Sequence, residues 1–298
     1  MASEQLQNVL QMLAQSRAAS TEPMDIAARR QAMEMFATPP AADVRVEPLT
    51  VAGVPAEWVV APNADANVVL YLHGGGYVLG SCATHRDLAA RVSRAAGARV
   101  LLLDYRLAPE HPFPAAVDDA TAAYRWLLEQ GSAPARIAIA GDSAGGGLAA
   151  ATLLALRDAD VPLPSSAVLI SPWVDLAATG NSLKTRAHRD PMIVPDGLGE
   201  LVRAYLGETD PKHPYASPLY DDLAGLPPLL VQVGTEEVLF DDGARFAARA
   251  CEAGVPVTFE PWDEMIHVWH IFAPMLPEGE AAIDRLGAFI REHYPRQG

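Results

Sequence analysis

Short apolar runs alternate with amphipathic stretches along most of the chain. The apolar runs are rich in Val, Ile and Leu without strict alternation, which is typical of strands covered on both faces. They lie at residues 68–73, 99–105, 137–141, 167–171, 229–234 and 257–262. Helical spacing occurs at residues 84–95, 115–129, 145–157, 242–253 and about 280–293. This order predicts an α/β fold with a mostly parallel central sheet flanked by helices.

Two regions interrupt this rhythm. The first 40 residues are rich in Ala, Gln and Met and predict one or two amphipathic helices that end at Pro39-Pro40. A turn-punctuated β region follows and includes residues 57–60. Between the strands predicted at 167–171 and 229–234 lies a long Pro-containing connection with a helix-like run at 196–206. A connection of this length is typical of a lid or a small subdomain.

Composition narrows the partners that the chain can have. Half of the 298 residues are apolar, and the formal net charge of −15 argues against nucleic acid or an anionic membrane as a partner. The two cysteines, Cys82 and Cys251, do not make a disulfide framework, and we expect both to be free thiols. The amino terminus lacks a signal-peptide pattern, and no stretch approaches the roughly 18 apolar residues of a membrane span. We therefore expect a soluble cytoplasmic protein.

A tight glycine-flanked turn carries a candidate nucleophile. Gly141-Asp142-Ser143-Ala144-Gly145 follows an apolar run and precedes a helix of small residues, which is the setting of a G-x-S-x-G nucleophile turn. The positions two before and two after the serine need to lack a bulky side chain, and the following helix points its positive end at the site. The alternative is a glycine-rich loop that binds phosphate. No lysine follows at Walker spacing, so we predict Ser143 as the nucleophile.

A second glycine loop predicts an oxyanion hole. The apolar run 68–72 leads directly into His73-Gly74-Gly75-Gly76. Consecutive glycines let backbone amides turn toward a developing oxyanion without interference from Cβ atoms. We assign the hole to the amides of Gly74, Gly75 and Ala144. His73 could be read as a base or a metal ligand, but we expect its ring to brace the loop.

The base is expected among the histidines that follow the serine in the chain. His267 comes soon after the strand predicted at 257–262, on a loop from which its ring can reach the serine, and His270 is its main competitor. A metal site that uses both histidines is discounted, because no cysteine or second carboxylate pair lies nearby. We therefore expect no metal and no cofactor.

The acid is expected just after the strand predicted at 229–234. Glu236, Glu237, Asp241 and Asp242 are all available there, and their spacing does not choose among them. Asp241 and Asp242 also suit the first turn of a helix, where acidic side chains are stabilised by the helix dipole.

Together these motifs resemble those of the hormone-sensitive-lipase-like esterases, the bacterial family IV of the α/β-hydrolase superfamily. The matching residues are His73-Gly74-Gly75-Gly76, Tyr105-Arg106-Leu107-Ala108-Pro109-Glu110, His111-Pro112-Phe113-Pro114-Ala115-Ala116 and Gly141-Asp142-Ser143-Ala144-Gly145-Gly146. The resemblance covers the chain from about residue 45 to its end. It implies an α/β-hydrolase fold with a helical cap, made of residues 1–45 and of an insertion at 176–222 in the catalytic domain 46–298.

The resemblance also implies the acid and the reaction. In the family's acid motif, D-P-L-x-D, the first acid is catalytic, and that register places Glu237 there with Asp241 and Glu236 as fallbacks. The family's histidine motif, H-G-F, supports His267, although Val268-Trp269 departs from it. The implied activity is hydrolysis of short- to medium-chain carboxylic esters by a Ser143–Glu237–His267 triad through an acyl-enzyme. For the 105–110 segment we expect a structural turn network.

Several alternatives stay open at this point. An amidase or deacetylase would use the same residues, whereas a non-catalytic ligand receptor on this scaffold would be expected to lack the histidine. Apolar residues of the expected cap favour a closed pocket: Met24, Met33, Met35, Phe36, Met192 and Ile193. The expected partner is a small-molecule ester, with a homodimer left open.

Overall fold

One eight-stranded sheet forms the centre of the described chain, which comprises residues 3–19, 24–35 and 37–295 of a computed structural model. Its strands are β1 (Arg45–Val51), β2 (Val54–Val60), β3 (Val68–Leu72), β4 (Arg99–Leu103), β5 (Ile137–Asp142), β6 (Ser166–Ile170), β7 (Leu229–Gly234) and β8 (Val257–Trp262). They are arranged in the order β1-β2-β4-β3-β5-β6-β7-β8. β1 and β2 form an antiparallel hairpin against β4, and the remaining pairs are parallel. The prediction of a mostly parallel sheet is confirmed.

Helices follow most of the strands and cover both faces of the sheet. They are α1 (Glu4–Ala19), α2 (Ile26–Met35), α3 (Cys82–Ala96), α4 (Ala115–Glu129), α5 (Ala144–Asp158), α6 (Ser182–Thr185), α7 (Pro195–Leu206), α8 (Phe240–Glu252) and α9 (Pro277–His293). α3 and α9 cover one face, and α4, α5 and α8 cover the other. The helices predicted from spacing are all present, with ends that differ by a few residues.

The central strands are buried on both faces, which explains their lack of alternation. Every residue of β3 is buried; Leu70 and Leu72 pack in the core of α5, whereas Val69 and Tyr71 pack in the core of α3 and α9. β8 was also expected to be covered on both faces, and that expectation is wrong. It is half exposed because it forms the outer edge of the sheet beside β7.

The elements outside the alternating pattern pack near the carboxyl ends of the strands. Leu6 and Val9 of α1 are fully buried against a cluster that contains Met265 and Ile266. Arg30 of α2 donates from Nε to the Val78 carbonyl at 2.8 Å and forms an ion pair with Glu110. No helix of the described chain is long and apolar enough to cross a membrane.

Candidate active site

Ser143 stands on a strained turn between β5 and α5. Its backbone adopts φ 54° and ψ −120°, which L-residues rarely visit, and its amide donates to the Ile170 carbonyl at 2.8 Å. A Cβ at position 141 would lie 2.7 Å from the Leu72 carbonyl oxygen, and one at position 145 would lie 2.5 Å from that of His73. Glycine is therefore required on both sides of the serine, as the motif predicts.

The loops that follow three parallel strands bring three polar side chains together. Ser143 follows β5, Glu237 follows β7 and His267 follows β8, and the carboxyl ends of parallel strands meet at one edge of a sheet. The His267 Nε2 atom lies 2.9 Å from the Ser143 Oγ atom, and its Nδ1 atom lies 2.6 Å from the Glu237 Oε2 atom. The other carboxylate oxygen of Glu237 accepts from the Gly234 amide at 3.0 Å.

Burial and charge act in opposite directions on this pair. Burial lowers the pKa of the His267 imidazole, but the hydrogen bond and the negative charge of Glu237 outweigh it, so the pKa is raised above 6.5. Burial also raises the pKa of the Glu237 carboxyl, which is fully enclosed. The imidazole is therefore placed to accept a proton from Ser143 while the carboxylate stabilises the resulting cation.

The other three acidic candidates contact groups other than His267. Asp241 accepts from the Ser182 amide at 2.9 Å, and Asp242 accepts from the Val174 and Asp175 amides. Glu236 forms an ion pair with Arg189. Glu237 is the carboxylate of the four that contacts a histidine.

The competing histidine lies away from the serine. His270 is fully buried, and its Nε2 atom is 2.9 Å from Gln232 Oε1. Burial lowers its pKa to about 3. A ring that stays neutral and hydrogen-bonds to an amide cannot serve Ser143.

The geometry of the glycine loop contradicts one of the expected oxyanion donors, the amide of Gly74. The Gly74 amide donates to the Asp142 carboxylate at 3.1 Å, so it is occupied, and the expectation that it faces a substrate oxygen is wrong. Gly75 and Gly76 line the cavity beside Ser143, with φ values of 120° and 65°.

Asp142, next to the nucleophile, accepts from several groups that fix this loop. Besides Gly74, the Tyr71 hydroxyl donates to it at 2.9 Å, and His85 Nε2 lies 3.4 Å away. Burial raises the pKa of the Asp142 carboxyl, but His85 and Tyr71 outweigh this effect and the pKa is lowered. A buried carboxylate thus joins β3, the glycine loop and α3.

The shape of the glycine loop also depends on its histidine and on the 105–110 segment. The ring of His73 is fully buried and stacks on Tyr105 with centroids 4.3 Å apart, as expected for a bracing role. The Tyr105 hydroxyl donates to the His73 carbonyl at 2.7 Å. Arg106 binds Asp119 through a bidentate ion pair. The segment has the structural role that the sequence suggests.

Two polar residues near the triad were missed by sequence reasoning. The Ser171 hydroxyl accepts from the Val268 amide at 3.1 Å and hydrogen-bonds to the Glu237 carboxylate. Asp190 accepts from the Val238 amide at 2.9 Å. These contacts span 97 and 48 residues of chain, so no local pattern reveals them.

A cavity of about 1010 Å³ opens above Ser143. Residues from α1, α2, α7 and the segment before α7 form much of its wall. Of the apolar cap residues expected there, Met24, Met33, Met192 and Ile193 line it, Met35 does not, and Phe36 lies outside the described residues. Cys82 and Cys251 are free thiols away from this wall. Within the described ranges, no group of three or more His, Cys, Asp or Glu side chains is arranged to hold a metal ion.

Comparison with known proteins gives one consistent result. A family model described as alpha/beta hydrolase fold matches residues 69–271. An acetyl-hydrolase from Streptomyces hygroscopicus is 52% identical over 296 residues, covering 98% of this chain and 97% of the relative. An esterase from Acinetobacter venetianus is 38% identical over 247 residues, covering 83% and 82%. The crystal structure of an esterase from the bacterial hormone-sensitive lipase family superposes with a TM-score of 0.95 at 50% identity, covering 99% of this chain and 100% of that chain.

Proposed function

Since the chain belongs to the hormone-sensitive-lipase-like esterases of the α/β-hydrolase superfamily, we propose that it hydrolyses short- to medium-chain carboxylic esters through Ser143, His267 and Glu237. The chain is a serine carboxylesterase by its family. The observation that carries the proposed triad is the continuous hydrogen-bonded line from Ser143 Oγ through His267 to Glu237. The same line disfavours a non-catalytic receptor, which needs no such arrangement.

The reaction proceeds in two halves that share one base. The Ser143 oxygen bonds to the carbonyl carbon of the ester while its proton moves to His267 Nε2. That proton then passes to the alcohol oxygen as its bond to the acyl carbon breaks. A water oxygen then bonds to the acyl carbon while His267 Nε2 takes the water proton. That proton passes to Ser143 Oγ as the bond between Oγ and the acyl carbon breaks, and the carboxylic acid leaves. Glu237 stays ionised throughout and stabilises the imidazolium.

The oxyanion hole is assigned to the amides of Gly75, Gly76 and Ala144. Gly76 replaces Gly74, whose amide is used by Asp142. Ala144 is the first residue of α5, where the amide has no acceptor within the helix. Each donor of this kind is worth about 10²–10³ in rate.

The size of the cavity supports a small ester with two apolar parts. Its volume of about 1010 Å³ lies at the upper end of small-molecule pockets, which run from roughly 300 to 1,000 Å³. Methionine and leucine side chains such as Met33, Met192 and Leu201 form its wall, and they adapt to apolar groups of different shape. In this proposal residues 1–45 and 176–222 together act as the cap. The homodimer and the cytoplasmic location stay predictions.

A deacetylase is the second candidate. It is favoured by one observation, the name of the acetyl-hydrolase relative that covers nearly the whole chain. Such an enzyme would use the same three residues on an acetyl ester or acetyl amide.

Hydrolysis of aryl esters with acyl chains of increasing length tests both candidates. The proposal predicts the highest kcat/KM on acyl chains between acetate and about eight carbons, and loss of activity in Ser143→Ala. An aryl acetamide run in parallel separates an amide deacetylase, which would cleave the acetamide at a rate comparable to that of the aryl acetate. A deacetylase specific for acetyl esters would instead lose activity on acyl chains longer than acetate. Preference for long-chain triglyceride emulsions, or retained activity in Ser143→Ala, would contradict the proposal.

A further inference from the structure

The segment that precedes α7 is fastened to the loop that carries Glu237. The Ser182 hydroxyl donates to the Val238 carbonyl at 2.6 Å, and the Ser182 amide donates to Asp241. Arg189 forms an ion pair with Glu236. These contacts join residues 182–193, which we call the wall segment, to residues 236–241, which we call the acid loop. Part of the cavity wall therefore packs on the loop that carries Glu237.

Asp190 makes the contact that lies nearest to Glu237. Its side chain is buried, with 3% of the residue exposed. One carboxylate oxygen accepts from the Val238 amide at 2.9 Å. The other accepts from the Met192 and Ile193 amides at 2.8 Å and 3.0 Å. Each oxygen thus faces a different structure, the acid loop on one side and the cavity wall on the other.

We propose that Asp190 is a positioning residue that ties the cavity wall at Met192 and Ile193 to the triad acid. This inference rests on the proposed role of Glu237. The amide that Asp190 holds belongs to the peptide group that joins Glu237 to Val238, so it fixes the plane from which the Glu237 side chain extends. A substrate that packs on Met192 and Ile193 therefore contacts the turn whose amides donate to the Asp190 carboxylate.

The negative charge of Asp190 also affects the pKa values of Glu237 and His267. Its carboxylate raises the pKa of Glu237 and that of His267, since a negative charge favours the protonated form of each. Neutralising Asp190 removes that contribution, so the pKa of His267 falls and the acid limb of kcat/KM moves to lower pH. The other charged groups that face this cluster come from the wall segment, the acid loop and β5: Arg186, Arg189, Glu236, Asp241 and Asp142.

Asp190→Asn is expected to keep one of the two sets of contacts that Asp190 makes and to remove the other. Its single oxygen is expected to stay on the Met192 and Ile193 amides, because the opposite orientation would place an NH₂ group against two donors. The NH₂ group then faces the Val238 amide, and the link to the acid loop is lost. We expect kcat to fall roughly tenfold, because the Glu237–Val238 peptide loses its buried acceptor and Glu237 is held less accurately against His267, with KM nearly unchanged. The acid limb should move to lower pH.

Asp241→Asn is the matched control. It alters an aspartate at the same interface that contacts Ser182 instead of the Glu237–Val238 peptide. We expect a lower thermal midpoint in both variants but a change in kcat only in Asp190→Asn. Equal kcat values in Asp190→Asn and wild type, or an equal loss in both variants, would overturn the inference. Should Asp190→Asn fail to fold, Asp190→Ser keeps a short acceptor for the turn and is expected to show the same loss of kcat.

A double-mutant cycle with Glu237→Gln decides whether Asp190 acts through the triad acid. If it does, Asp190→Asn should cost little further activity once Glu237 has been replaced. The same tenfold loss in both backgrounds would overturn the inference while leaving the triad intact. Full activity in Glu237→Gln alone would instead remove the proposed triad acid, so the two failures can be told apart.

Discussion

Two histidines three residues apart have opposite surroundings. His267 faces Ser143 on one side and a carboxylate on the other, and its pKa is raised. His270 is buried beneath it against the amide of Gln232, and its pKa is lowered to about 3. Both rings are almost fully enclosed, with 5% and 0% of the residue exposed. Burial alone therefore does not make a histidine a base. The carboxylate that contacts Nδ1 of His267 makes the difference.

Removing each ring is expected to give the largest contrast. His267→Ala should lower kcat by about 10⁴-fold or more, because it removes the imidazole that hydrogen-bonds to Ser143 Oγ and accepts its proton in the proposed mechanism. His270→Ala should leave kcat nearly unchanged and lower the free energy of unfolding by about 2–4 kcal/mol through the cavity that it creates. Aryl butyrate kinetics and urea unfolding measure the two effects. Loss of activity in His270→Ala without loss of stability would mean that His270 takes part in catalysis and has no structural role.

Glu237→Gln should make the surroundings of His267 resemble those of His270. An amide cannot stabilise the imidazolium as a carboxylate does, so kcat should fall by about 10³–10⁴-fold. The pKa of His267 should also fall, which moves the acid limb of kcat/KM to lower pH. Asp241→Asn serves as the control and should keep kcat. Activity retained in Glu237→Gln but lost in Asp241→Asn would assign the acid to the other residue.

The pH dependence of kcat/KM in the wild-type enzyme distinguishes His267 from His270 without a mutation. The proposed mechanism needs neutral His267, and the raised pKa of His267 places the acid limb above pH 6.5. Below that limb kcat/KM should fall about tenfold per pH unit. His270 stays neutral over this range and should add no second limb. A limb below pH 6 in kcat/KM with an aryl acetate would mean that Glu237 does not act on His267 as described.

Gln232→Glu gives His270 the kind of partner that His267 has. The new carboxylate should raise the pKa of His270 from about 3, which histidine NMR titration can follow. It also lies against Glu260, to which Gln232 now donates at 2.9 Å, so the free energy of unfolding should fall by about 1–3 kcal/mol. We expect no change in kcat, because His270 still does not reach Ser143. A large drop in kcat would link His270 to catalysis.

The sequence predicted those parts of the site that local backbone chemistry determines. The Ser143 turn could be recognised because glycine is sterically required at 141 and 145, and the glycine loop because of its place after β3. The helices followed from their helical spacing, and the parallel strands followed from apolar runs that do not alternate. The β8 edge was missed, because apolar content does not tell whether a neighbouring strand exists.

Contacts between distant segments account for the remainder. Residue spacing could not choose among four carboxylates after β7, because the choice depends on which side chain turns toward β8. Gly74 was misassigned because its amide direction depends on Asp142, which is 68 residues away. Ser171 and Asp190 carry no motif, and their roles arise only when the strand ends and the wall segment meet.

Covalent labelling of the nucleophile shows whether His267 activates Ser143. An aryl phosphonate ester mimics the tetrahedral intermediate, and mass spectrometry of the digested protein locates the group that it transfers. We predict one phosphonyl group per chain on Ser143, in the tryptic peptide 137–157, with labelling much slower in His267→Ala and absent in Ser143→Ala. Labelling of another residue, or equal labelling rates in wild type and His267→Ala, would contradict a serine activated by this histidine.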